Sequence, residues 1–84
     1  MPPHVILFAD VDFHGAHKHV STAVPFLDDF NDVTSSFIIL SGNWAFYIDA
    51  NFQNQEGNVF GPGAYHWVEE VRITNDTISS LQPV

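Results

Sequence analysis

The feature that most constrains this chain is that it repeats itself. Residues 8–15 (FADVDFHG) align with residues 47–54 (YIDANFQN), each an aromatic, an Asp two places on, and a Phe shortly before a turn residue. Residues 31–36 (NDVTSS) align with residues 75–80 (NDTISS). The first pair is offset by 39 positions and the second by 44, so the later copy carries five extra residues between its blocks. Two blocks in the same order, twice within 84 residues, mark a duplicated supersecondary unit. The divide falls near residues 41–43, giving one unit over residues 3–41 and another over residues 42–84.

Each unit is built from strands. Short β-branched or aromatic-rich runs lie at residues 5–9, 17–21, 37–40, 44–49 and 71–74, separated by turn formers such as residues 41–43 (SGN) and 61–63 (GPG). No segment sustains a helical period. The expected class is all-β, a sandwich or barrel. The chain's length allows one buried core, and twelve aromatics, Trp44, Phe46 and Tyr47 among them, supply it. With no cysteine, a domain this small depends on packing, bound ions or association for stability.

Ten Asp and Glu stand against Lys18 and Arg72, a formal charge of −8. That excess repels phosphate backbones and anionic lipid, which argues against nucleic acid and membrane surfaces as partners, and it favours a divalent cation as a guest. The opening residues 1–4 (MPPH) lack a basic leader and no apolar run approaches a membrane span, so neither a signal peptide nor membrane insertion is expected, with a slight lean to the cytoplasm.

The pattern of an aromatic, six residues and a Gly, followed by Asn/Asp-Asn/Asp-x-x-Ser/Thr-Ser, resembles the βγ-crystallins, especially single-domain microbial members. The resemblance covers nearly the whole chain. It includes Trp44 opening its strand, residues 61–65 (GPGAY) and residues 78–81 (ISSL). It implies a two-sheet Greek-key sandwich with two pseudo-symmetric motifs and two calcium ions. A hard cation of this kind takes six to eight oxygens. By the resemblance, the first ion takes the Ser35 hydroxyl, the carbonyls of Val33 and Ala9, and the Asp76 carboxylate from the other motif. The second takes the Ser79 hydroxyl, the carbonyls of Thr77 and Ile48, and the Asp32 carboxylate. With one carboxylate per site and water completing the shell, dissociation constants on the order of 10⁻⁶ to 10⁻⁴ M are expected. Asn31 and Asn75 are expected to brace the loops through side-chain to backbone bonds. One position departs from the pattern: the hairpin glycine is kept at Gly15 and replaced by Asn54, a residue that tolerates positive φ.

Other motifs carry less. Residues 10–15 (DVDFHG) imitate the start of an EF-hand loop, but His14 and Ser21 occupy the fifth and twelfth ligand places and no helices flank them. His14, His17 and His19 cluster, the last two on one strand face, with a spacing that suits zinc, nickel or copper; solvated edge histidines are the plainer reading. Residues 75–77 (NDT) form a glycosylation sequon that overlaps the metal loop by coincidence. The many Ser have no evident His and Asp companions, so an enzyme is not expected. The competing class is an interaction module rigidified by calcium, of adhesion, toxin or inhibitor type. It would meet a protein partner, or self-associate weakly, through an apolar surface such as residues 24–27 (VPFL).

Overall fold

The computed structural model describes residues 2–84, Asp29 by its backbone alone. Seven strands follow in order: β1 (His4–Asp10), β2 (His14–Val20), β3 (Ser36–Ser41), β4 (Trp44–Asp49), β5 (Gln53–Phe60), β6 (Gly63–Tyr65) and β7 (Ser80–Pro83). Single 3-10 turns sit at Val11–Phe13, Asp28–Phe30 and Val68–Val71. None of these helices is long and apolar enough to cross a membrane.

The strands form two antiparallel sheets, ordered β2-β1-β3-β6 and β5-β4-β7. Each half sends one segment into the other's sheet. β6, from the second half, pairs with β3. Val24, from the first, bridges Leu81 of β7, with Val24 N–H donating to the Leu81 carbonyl at 2.9 Å and Leu81 N–H donating back at 3.2 Å. The exchange makes two Greek keys that cannot be pulled apart without breaking both sheets.

Alternation along the strands builds the core between the sheets. Val5 and Leu7 of β1, Phe37 and Ile39 of β3, and Trp44 and Phe46 of β4 all turn inward and are buried. Four rings join the two layers: Phe37 lies 4.6 Å from Phe46, 4.8 Å from Tyr65 and 5.8 Å from Phe60, centroid to centroid. Such spacings suit offset and edge-to-face contact, worth about 0.5–1.5 kcal/mol per pair beyond area burial. Trp44 keeps its polar edge satisfied while fully buried, its indole N–H donating to the Ser41 carbonyl at 3.2 Å.

The run at residues 71–74, expected as a strand, is not one. Val71 ends a 3-10 turn and Arg72 is left-handed at φ 69°. Ile73 and Thr74 find partners outside any ladder: Ile73 N–H donates to the Val68 carbonyl at 3.0 Å, and Thr74 N–H to Glu56 Oε1 at 3.0 Å. Leu27 and Val68 play equivalent parts, donating to the carbonyls of Ser79 and Ser35, both at 2.9 Å. Their offset of 41 places three of the five extra residues of the second half after Val68, in this segment. It is an insertion looped over the core, with Ile73 buried beneath it.

Candidate metal centre

The two repeated hairpins are strained in the same way. Asp12 and Phe13 in the first, and Asn51 and Phe52 in the second, are consecutive left-handed residues with φ between 56° and 61°. Non-glycine residues pay roughly 1–2 kcal/mol each in this region, so something must hold them. The holder is the last serine of each loop motif, both fully buried. Ser36 Oγ donates to the Asp10 carbonyl at 2.6 Å and accepts from Phe13 N–H at 3.1 Å. Ser80 Oγ donates to the Asp49 carbonyl at 2.7 Å and accepts from Phe52 N–H at 3.2 Å. These hydroxyls fix the hairpin tips beside Ala9 and Ile48. The sequence contained both serines within the motif but gave no hint of this task.

The hairpins differ in one respect. Between Phe8 and Asp10 the pairing slips by one residue, where Ala9 faces Gly15 and Ala16 and Gly15 takes φ 80°, the geometry of a glycine bulge. A Cβ on Gly15 would lie 2.5 Å from Asp10 Oδ2. In the second hairpin Asn54 stands at φ 59° and turns that proximity into a bond, its Nδ2 donating to Asp49 Oδ2. No slip occurs there between Tyr47 and Asp49.

Between the hairpins lie the loops at residues 31–36 and 75–80, related position by position. Each fifth residue hangs from its own half: Ser35 N–H donates to the Phe8 carbonyl at 2.8 Å, and Ser79 N–H to the Tyr47 carbonyl at 2.9 Å. Each second residue is left-handed, Asp32 at φ 57° and Asp76 at φ 60°, and reaches across to the other half. Asp32 N–H donates to the Ile78 carbonyl at 3.0 Å, and Asp76 N–H to the Thr34 carbonyl at 3.4 Å. Their side chains cross as well. Ser35 Oγ donates to Asp76 Oδ1 at 3.3 Å, and Ser79 Oγ to Asp32 Oδ1 at 3.2 Å. Ser35 and Ser79 are buried while both Asp are exposed, so each pair runs from the interior to the surface.

Of the residues singled out from sequence, the structure therefore brings Ser35 to Asp76 and Ser79 to Asp32. Among the described residues the carbonyls of Val33 and Thr77 accept no hydrogen bond within the protein. Ala9 and Ile48 lie on β1 and β4, each one residue beyond the carbonyl that receives the loop serine. Asn31 and Asn75 do not brace the backbone as expected. Asn31 Nδ2 donates to Asp32 Oδ2 at 3.4 Å, and the Oδ1 atoms of both Asn are buried with no partner in the protein. Twofold-related orphan acceptors at both loops are costly unless a donor reaches them.

The second loop has a brace that the first lacks. Glu56 of β5 is buried, and besides holding Thr74 N–H its Oε2 accepts from Thr77 Oγ1 at 2.6 Å. Glu56 stands opposite Phe46, and its counterpart opposite Leu7 in the first hairpin is the half-buried Lys18. No pattern in the polar run of β5 marks Glu56 in advance. Elsewhere, the apolar stretch at residues 24–27 is divided, with Val24 paired and packed against the core and Leu27 buried, while Pro25 and Phe26 are exposed.

The family model for the beta/gamma crystallins matches residues 4–84. The chain belongs to the βγ-crystallin family. It is 38% identical over 80 residues to a beta/gamma-crystallin of Ciona intestinalis, covering 93% of this chain and 94% of that protein. It is 34% identical over 84 residues to the human beta/gamma crystallin domain-containing protein 2, of which it spans 5%. Among solved structures, a βγ-crystallin from an archaeon superposes with a TM-score of 0.93 at 31% identity, covering 100% of both chains. A transition-metal-ion-binding βγ-crystallin from Methanosaeta thermophila superposes with a TM-score of 0.84 at 33% identity, covering 94% of this chain and 98% of that one. The two-sheet, twice Greek-key arrangement of this βγ-crystallin is thus the family's fold.

Proposed function

We propose that this βγ-crystallin binds two calcium ions, one at each loop, and that the ions fasten its two halves together. The observation that supports the reading is the reciprocal crossing of Ser35 with Asp76 and Ser79 with Asp32, at 3.3 and 3.2 Å. A hydroxyl and a carboxylate from opposite halves, beside carbonyls without partners, form an oxygen donor set that suits a hard divalent cation. The first ion would be held by the Ser35 hydroxyl, the Val33 and Ala9 carbonyls and the Asp76 carboxylate. The second would be held by the Ser79 hydroxyl, the Thr77 and Ile48 carbonyls and the Asp32 carboxylate. Water carried by each ion would supply the donors that Asn31 Oδ1 and Asn75 Oδ1 lack. Bound calcium supplies cross-linking and charge neutralisation, and the role is binding and structural rather than catalytic.

Calorimetric titration with calcium tests this. Two ions per chain are expected, with dissociation constants on the order of 10⁻⁶ to 10⁻⁴ M. Ser35→Ala should leave one ion and Ser79→Ala the other. Absence of binding heat from the folded wild-type protein at millimolar calcium, with equilibrium dialysis finding no bound ion, would refute the proposal.

A further inference from the structure

Away from the loops, three imidazoles line the outer face at the β2 edge. Ile6 of β1 stands opposite His19, and Phe8 opposite His17. Residues two apart on a strand share a face, so His4, Ile6 and Phe8 line up beside His17 and His19. The rings meet: His4 Nε2 and His19 Nδ1 are 2.9 Å apart, with ring centroids at 5.2 Å, and the His17 ring lies 5.4 Å from that of His19. His4 is partly exposed and His19 exposed, while Val5, Leu7 and Val20 carry the core on the opposite face. The core does not require these two side chains; a surface N–H···N hydrogen bond joins them and brings two potential ligand nitrogens together.

We propose that His4 and His19 form a surface site for a borderline divalent transition metal, with copper(II) and nickel(II) as its preferred occupants. Imidazole nitrogens bind such ions at about 2.0–2.1 Å. The 2.9 Å separation is that of an N–H···N hydrogen bond, which a chelated ion replaces; the preference follows from the affinity order of the first-row divalent ions, which rises through nickel(II) to copper(II) for nitrogen ligands. In the metal-free pair one ring donates its N–H to the other. On binding, that ring carries its proton on its other nitrogen, so both ligating atoms present lone pairs and a neutral pair releases no net proton. Each exposed ring swings about 45° from the N···N line so that the lone pairs meet at a right angle on the ion, and water fills the remaining positions. The pair is nitrogen-based where the loops are oxygen-based, so the two kinds of site select different ions.

The test is a nickel(II) titration by calorimetry on the full chain held in saturating calcium. One equivalent should bind. His4→Ala and His19→Ala should each weaken binding at least tenfold while leaving the melting temperature unchanged, and His14→Ala, at the hairpin foot opposite Asp10, should stay within twofold of wild type. Failure of the wild-type protein to bind nickel, or equal binding by all three variants, would overturn the proposal. So would loss of nickel binding on Ser35→Ala or Ser79→Ala, which would place the metal in the loops.

Discussion

In calcium at a hundred times its dissociation constant, the protein is expected to melt about 20–40 °C above the same protein in chelator. A ligand that binds only the folded state adds about 2.7 kcal/mol per site at that excess, hence about 5 kcal/mol for two. A domain of this size moves about 4–8 °C per kcal/mol. The unfolded chain offers no competing site, because Ser35 and Asp76 lie 41 residues apart in sequence, and Ser79 and Asp32 lie 47 apart. Two divalent ions would also halve a formal charge of −8, easing self-repulsion in the compact state. The apo protein must hold Asp32 and Asp76 in left-handed backbone with one cross-half backbone bond each and long hydroxyl bonds at their carboxylates. Differential scanning calorimetry in the two buffers reads the effect. A midpoint that moves by only a degree or two would contradict it.

Phe37→Ala is expected to cost about 3–5 kcal/mol, the usual range for deleting a buried ring. Against a domain stability of about 5–15 kcal/mol, that removes much of what holds the apo protein folded. The reason is position: Phe37 is fully buried in β3 and touches Phe46 and Phe60 of the facing sheet as well as Tyr65 beside it. Its loss opens a cavity on the seam between the layers, which backbone pairing on both sides prevents from collapsing. Phe26→Ala, whose ring is 45% exposed, is expected to stay within about 0.5 kcal/mol. Urea unfolding in chelator measures both, and comparable costs for the two would contradict this account of the core.

The runs that became β1, β3 and β4 were legible because each is rich in β-branched or aromatic residues; β1 alternates inward and outward, while the first four residues of β4 are all buried. β5 was not, since seven of its eight residues avoid full burial and its one buried side chain is a glutamate. Its strand character comes from pairing along β4, which leaves no hydrophobic trace. β6 begins within a Gly-Pro-Gly turn, and β7 grows directly out of the second serine motif and ends on Pro83. Val71 and Ile73 misled in the opposite direction. Their β-branched alternation reflects one residue closing a helical turn and another plugging the core. At the loops, the repeat made both six-residue motifs visible without coordinates, and the resemblance to the βγ-crystallins picked out Asp32, Ser35, Asp76 and Ser79 within them. The tasks of Ser36, Ser80 and Glu56 were hidden, since each depends on which backbone atom ends up beside a side chain after folding. The pairing of His4 with His19 was likewise hidden, because it joins neighbouring strands rather than one run.

The central claim is that each site is shared across the halves, and counting bound calcium in two double variants tests it most directly. If the carboxylates cross, Ser35→Ala with Asp76→Asn damages one site twice, and one ion per chain should remain. Ser35→Ala with Asp32→Asn damages both sites, and none should remain. One ion retained by the Ser35/Asp32 variant and none by the Ser35/Asp76 variant would mean that each loop closes on its own aspartate, and the crossed arrangement would be wrong.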